Sequence, residues 1–188
     1  MQSDSAMTRR ALLGGLTGLG AMAAMPAFAS SPAILTGAGS YRKLALTCQK
    51  TGEWLNTVYW VEGEYIPEAL QAISHLMRDW REDLVKQIDH KTIDIMSATQ
   101  NLLECNEPFR VVSGFRSQRT NALLRRRSRG VARNSYHTKG MAVDVKMETR
   151  SVRQISGAAL ALHAGGVGKY SRASFVHIDS GPVRDWGR

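Results

Sequence analysis

Ser135-Tyr136-His137-Thr138-Lys139-Gly140-Met141-Ala142-Val143-Asp144 runs a histidine, a glycine and a carboxylate into a Val-x-Val pattern completed by Val145. Gly140 lets the chain turn where a side chain would obstruct. Beyond it the alternation predicts a strand, with Ala142 and Asp144 on one face and Val143 and Val145 turned to the core. The same alternation returns in Ser174-Phe175-Val176-His177-Ile178-Asp179. There Phe175, His177 and Asp179 share a face, and Val176 and Ile178 take the other. Two neighbouring strands then present Asp144 and His177 to one point. With His137 they form two imidazoles and one carboxylate, a donor set suited to zinc. Three protein ligands leave a fourth position for water, which separates a catalytic site from a structural one. The donor types alone also admit other divalent metals.

Outward from these strands the chain alternates between β-rich and helical patterns. Leu44, Leu46 and Cys48 alternate within Tyr41 to Gln49, and Trp54 to Val61 is aromatic and β-branched, so the two read as a hairpin around Lys50-Thr51-Gly52-Glu53. Pro67 suits the first turn of a helix running to about Arg81, with Leu70, Ile73, Leu76, Met77 and Trp80 as its apolar stripe. Asp89 is placed to cap a second helix that holds Ile93, Ile95, Met96, Leu102 and Leu103. Phe109 to Val112 reads as a core strand. Ser117 then caps a helix ending in Arg125, Arg126 and Arg127, with Arg129 and Arg133 beyond. Ser151 to His163 is an Ala/Leu-rich helix stopped by Gly165-Gly166. Short strands follow at Gly166–Tyr170 and around His177, and the tail carries Trp186. Partly segregated strands and helices predict an α+β domain, a small antiparallel sheet flanked by helices. His75, His90 and His163 are explained as helix-surface or helix-end residues and are not nominated as ligands.

The length fits one domain, residues 41–188, after a leader and a linker over residues 30–40 rich in Ser, Gly and Ala. Arg9-Arg10, an uncharged Ala/Gly/Leu run and Pro26-Ala27-Phe28-Ala29 have the parts of a secretory signal, cleaved after Ala29. The paired arginines and mildly apolar middle point to the twin-arginine route, hence to the Tat translocon and the periplasm. An uncleaved anchor is the alternative for this segment. No other stretch is apolar enough to cross a bilayer, so no membrane span is expected after cleavage. The net charge of +9 suggests an anionic partner, whether nucleic acid, a membrane surface or the bacterial wall, and does not choose among them. The leader favours bacterial wall over nucleic acid, and no nucleic-acid motif interleaves with the arginines. Cys48 and Cys105 are read as two thiols, since a twin-arginine substrate folds in a reducing compartment.

Ser-x-His-x-x-Gly-x-Ala-x-Asp with a late His on a short strand resembles the zinc peptidases grouped with lysostaphin, D-alanyl-D-alanine peptidases and the Sonic hedgehog domain. The nearer likeness is to the exported bacterial branch of the murein endopeptidase K type. Asn56-Thr57-Val58-Tyr59-Trp60, His75-Leu76-Met77-Arg78-Asp79-Trp80-Arg81, Val112-Ser113-Gly114-Phe115-Arg116-Ser117 and Gly165-Gly166-Val167-Gly168 carry it further. It spans nearly everything from Tyr41 onward. The resemblance implies a hedgehog/DD-peptidase-like fold, zinc on His137, Asp144 and His177, and hydrolysis of peptide bonds in peptidoglycan. It also implies that Arg116 receives a substrate carboxylate or carbonyl, which a guanidinium fits in bidentate fashion. Ser135 is expected to steady the site and Tyr136 to line the cleft.

One expected part is missing. Relatives place a general base two or three residues before the last ligand, and those positions are Phe175 and Ser174 here. Asp179, on the face of His177, is therefore the candidate for base or for orienter of that histidine. The reading is a murein endopeptidase cutting cross-links. A D-alanyl-D-alanine carboxypeptidase and a non-catalytic metal-containing wall-binding module stand beside it.

Overall fold

The structure is a computed structural model, and it describes residues 39–128 and 130–187. The expected leader, the expected linker up to residue 38, and Arg129 lie outside the described residues.

β1 (Tyr41–Cys48) and β2 (Trp54–Val61) form the expected hairpin. Its turn uses Gly52 at φ +75°, a backbone region that suits a residue without Cβ. Leu44, Leu46 and Cys48 all face inward, as their spacing requires. The two-residue β3 (Glu64–Tyr65) extends this edge. The remaining strands are β4 (Phe109–Ser113), β5 (Ala142–Lys146), β6 (Gly166–Tyr170), β7 (Phe175–Asp179) and β8 (Arg184–Gly187). All eight join one sheet in the order β3-β2-β1-β4-β5-β7-β6-β8. The α+β class is as expected. The sheet is wider than expected and mixed, because β1 runs parallel to β4 and β6 parallel to β8.

One face of the sheet makes the core. Leu46, Phe109, Val111, Val143, Val145, Val167, Val176 and Ile178 lie there, packed with Ile73 of α1 (Pro67–Leu76), Ile93 and Met96 of α2 (His90–Leu102) and Ile155 of α4 (Val152–Ala161). Every residue of α2 from Thr92 to Gln100 is buried, so polar groups had to be accommodated. Asp94 is the main case. It accepts hydrogen bonds from Tyr59 Oη (3.0 Å), Tyr65 Oη (2.6 Å) and Arg42 Nη1 (3.1 Å), which ties α2 to the hairpin. Cys48 and Cys105 are both free, Cys48 buried and Cys105 half-buried.

α1 stops at Leu76, short of the expected Arg81, for a reason set elsewhere in the chain. The Met77 carbonyl accepts the Phe115 N–H at 2.7 Å. A Cβ on Gly114 would lie 2.7 Å from Met77 Cβ, so this crossing needs glycine. Asp79 then turns inward and accepts from Arg81 N (3.1 Å) and Ser117 N (2.8 Å). These bonds fix the loop that carries Arg116 and the start of α3 (Gln118–Arg127), whose first turn is capped by Ser117 Oγ accepting from Thr120 N.

Candidate metal centre

The opposite face of the sheet centre is polar. Pairing puts Ser113, Asp144, His177, Gly168 and Trp186 in one cross-strand row over β4, β5, β7, β6 and β8. The row beside it holds Ala142, Asp179, Gly166 and Arg184. Gly168 is required because a Cβ there would stand 2.6 Å from the Trp186 ring. His137 arrives from a 3-10 turn, Tyr136–Lys139. Ser135 Oγ caps that turn by accepting the His137 N–H at 3.3 Å. Gly140 ends it at φ +73°, with its carbonyl held by Asp89 N at 2.9 Å.

Three ligand-type atoms converge. His137 Nε2 is 3.2 Å from Asp144 Oδ1 and 3.2 Å from His177 Nδ1, and His177 Nδ1 is 2.9 Å from Asp144 Oδ1. The bonds on the far sides of the rings fix what faces inward. His137 Nδ1 lies 2.7 Å from the Gly114 carbonyl, which can only accept, so Nδ1 carries the proton and Nε2 turns a lone pair inward. His177 Nε2 lies 2.9 Å from Asp179 Oδ2 and donates to it, so in the neutral ring Nδ1 turns its lone pair inward. With both rings neutral, two lone pairs and a carboxylate oxygen at this spacing repel, and either a proton on His177 Nδ1 or a metal cation among them relieves this. Tetrahedral zinc with bonds of about 2.0–2.2 Å separates its ligand atoms by roughly 3.3–3.5 Å. The observed triangle needs only a few tenths of an ångström of expansion to fit. No fourth His, Cys, Asp or Glu joins the cluster among the described residues, and His75, His90 and His163 are not part of it.

The charges agree with this arrangement. His137, His177 and Asp144 are 2%, 9% and 4% exposed. Burial pushes the His137 imidazole below its ordinary range, despite the pull of Asp144. Burial also works to raise the Asp144 carboxyl, but His137, His177 and Arg116 outweigh it and hold the group well below the usual range. His177 is held above its ordinary range, because Asp144 and Asp179 overcome the effect of burial. A metal ion bound here would compete with a proton for the place between His177 and Asp144.

The neighbouring groups hold these three side chains still. Asp179 is fully buried and both its oxygens are occupied. Oδ2 accepts from His177 Nε2 and from Arg184 Nη2 (2.7 Å), and Oδ1 accepts from Gly181 N (2.9 Å) and Arg184 Nη1 (3.0 Å). Burial opposes its charge, but His177 and Arg184 bring its pKa down to about 2. It lies behind His177, on the side of the ring away from Asp144. Arg116 donates to Asp144 Oδ2 and, through Nε, to Ser113 Oγ at 2.7 Å. Tyr136 lies against Gly181 with Arg184 over its ring at 5.2 Å. His137, Asp144, His177, Arg116 and Tyr136 line one cleft, together with Tyr170, Phe175, Arg184 and Trp186.

Arg184, Trp186 and Tyr170 were not singled out from the sequence. The available signal was Gly166-x-Gly168 in a strand, which marks close approach by large neighbours. Arg184-x-Trp186, at the same spacing, supplies them.

Residues 36–186 match the family model Peptidase_M15_2, described as peptidoglycan L,D-endopeptidase MepK. The chain belongs to this family. It is 42% identical over 172 residues to the peptidoglycan L,D-endopeptidase MepK of Escherichia coli strain K12, covering 91% of this chain and 94% of the relative. The protein of the same name from Shigella flexneri matches to the same extent. The probable peptidoglycan L,D-endopeptidase MepK of Haemophilus influenzae strain Rd is 39% identical over 137 residues, 72% of this chain and 74% of that one.

Proposed function

We propose that this chain is a zinc-dependent murein endopeptidase that hydrolyses peptide cross-links of peptidoglycan. The observation that carries the reading is the inward convergence of His137 Nε2, Asp144 Oδ1 and His177 Nδ1 beside an accessible cleft. Family membership supplies the substrate class, and the names of the relatives favour an L,D bond. Zinc on these ligands supplies Lewis acidity to a peptide carbonyl and to water.

The protein groups have separate duties in this reading. Asp179, of its two expected roles, takes that of orienter: both oxygens are committed, and it holds the His177 Nε2 proton. Gly114 O does the same for His137, and Ser135 holds the turn that delivers it. Such outer bonds fix ligand tautomer and direction. Arg116 steadies Asp144 and presents its remaining N–H groups to a substrate carbonyl or carboxylate. Tyr136 walls the cleft. The exposed Arg125, Arg126 and Arg127 add an attraction to anionic wall polymer.

The leader supports export by the twin-arginine route, with the mature domain working in the periplasm. No described helix is long and apolar enough to cross a membrane.

The test is product analysis. Residues 30–188 are incubated with cross-linked wall fragments, with and without chelator, and the products are separated by mass. Loss of cross-linked dimers that stops with chelator and in His177→Ala is expected. Release of free alanine alone would make it a carboxypeptidase. Binding with no new product would leave a wall-binding module.

A further inference from the structure

Among the described residues that line the cleft, no carboxylate or imidazole is free of the proposed ligand duty. Asp144, His137 and His177 form the metal cluster, and Asp179 is sealed behind His177. Phe175 and Ser174 have no proton to exchange near neutral pH. Of the described cations that line the cleft, Arg116 is tied to Asp144 and Ser113 and keeps only its remaining N–H groups for substrate, and Arg184 is tied to Asp179. Two phenols remain. The hydroxyl end of Tyr136 lies over the Gly181 turn, where a Cβ on that glycine would stand 2.8 Å from it.

Tyr170 is held differently. Its ring stacks on Phe175, with centroids 4.5 Å apart and planes 15° from parallel. Phe175 is two residues before His177 on the same face of β7, so the stack stands beside the ligand. The Trp186 Nε1–H donates to the Tyr170 oxygen at 3.1 Å. The Trp186 ring itself lies 5.3 Å from the His177 ring, across the space that Gly168 leaves open. A phenol oxygen that already accepts one N–H has its own proton directed elsewhere, and no acceptor takes that proton among the described residues.

We propose that the Tyr170 hydroxyl is a catalytic hydrogen-bond donor. It binds the oxygen of the scissile carbonyl as negative charge develops there, with Trp186 setting its direction. This rests on the peptidase reading above. No proton changes hands: the phenol keeps its hydrogen, and the bond shortens as the carbonyl oxygen gains charge. A fixed donor aimed at developing charge stabilises the transition state more than the bound substrate. The effect therefore belongs in kcat.

The experiment compares wild type, Tyr170→Phe and Trp186→Phe, each zinc-loaded, on a soluble cross-linked muropeptide. Phenylalanine at 170 keeps the stack on Phe175 and removes only the hydroxyl. Tyr170→Phe is expected to lower kcat about 10²–10³-fold, as loss of one such donor does elsewhere. KM, zinc affinity by competition with a chromophoric chelator, and melting temperature should stay near wild type. Trp186→Phe should give a smaller fall of the same kind. A Tyr170→Phe enzyme with wild-type kcat overturns the proposal. So does a fall that tracks lost zinc or lost stability, which would make Tyr170 structural. A wild type that binds zinc and cleaves nothing removes the peptidase reading itself, and the role of Tyr170 with it.

Discussion

Asp179 Oδ2 stands 2.9 Å from His177 Nε2, and Arg184 grips the same carboxylate with two nitrogens, at 2.7 and 3.0 Å. The carboxylate keeps the proton on Nε2 and so keeps Nδ1 open towards Asp144. Asp179→Asn removes the charge and can offer an N–H where an acceptor is needed. Zinc affinity should fall about 10–100-fold, the usual cost of losing such a partner. Competition with a chromophoric chelator at neutral pH reads this directly. Unchanged affinity would mean that the tautomer of His177 is fixed by something else.

The three proposed ligands give a sharper test. His137→Ala, Asp144→Ala and His177→Ala each remove one corner of a three-atom site, so stoichiometric zinc should be lost in all three. The fold should survive, since the core lies on the other face of the sheet. Zinc content after dialysis, read beside circular dichroism, separates loss of metal from loss of structure. A variant that keeps full zinc content would remove its residue from the ligand set.

How much of this was legible in the sequence follows from how local each signal is. The alternation in Ala142–Val145 and Phe175–Asp179 sets which side chains share a face, and pairing in register then brings Asp144 opposite His177. The hairpin and the serine cap at Ser117 are equally local. The end of α1 was not, because it is set by Phe115 and Ser117, far along the chain from Met77 and Asp79. The parallel pairing of β1 with β4 has no signature in either strand alone. β8 is four residues of mostly polar sequence, so neither its existence nor the reach of Arg184 into the site shows in its own pattern.

Asp79 links that long-range contact to pH. Burial raises its pKa, but hydrogen bonds from Thr120, Ser117 and Arg81 prevail and the carboxyl is held below its ordinary value. A depressed folded value means that the group stabilises the fold fully above the unfolded pKa, near 3.9. That contribution is lost as pH falls through the lower folded value. Asp79→Asn should therefore destabilise by about 1–3 kcal/mol at pH 7. The gap to wild type should shrink once the pH falls below about 3.9. Urea midpoints at pH 7 and at pH 3 give the comparison. An equal gap at both would show that the carboxylate charge is not what the Ser117 and Arg81 amides need.

Trp186 and Gly168 make the last prediction, because each explains the other. The indole lies across β6 where a side chain would be, and an alanine methyl would stand 2.6 Å from its ring carbons. β8 is an edge strand held by β6 alone, so the strain of Gly168→Ala is relieved by moving Trp186 off the cleft. Overpacking of this kind costs about 1–3 kcal/mol. It should also lower activity by breaking the Trp186 to Tyr170 hydrogen bond. Trp186→Ala removes the obstruction, so Gly168→Ala should cost almost nothing further in that background. A cycle of the four proteins by urea unfolding measures this coupling, expected at about 1–3 kcal/mol for residues in contact. Additive costs would mean that the alanine disturbs the β6 backbone itself, and that the glycine is there for the chain rather than for the ring.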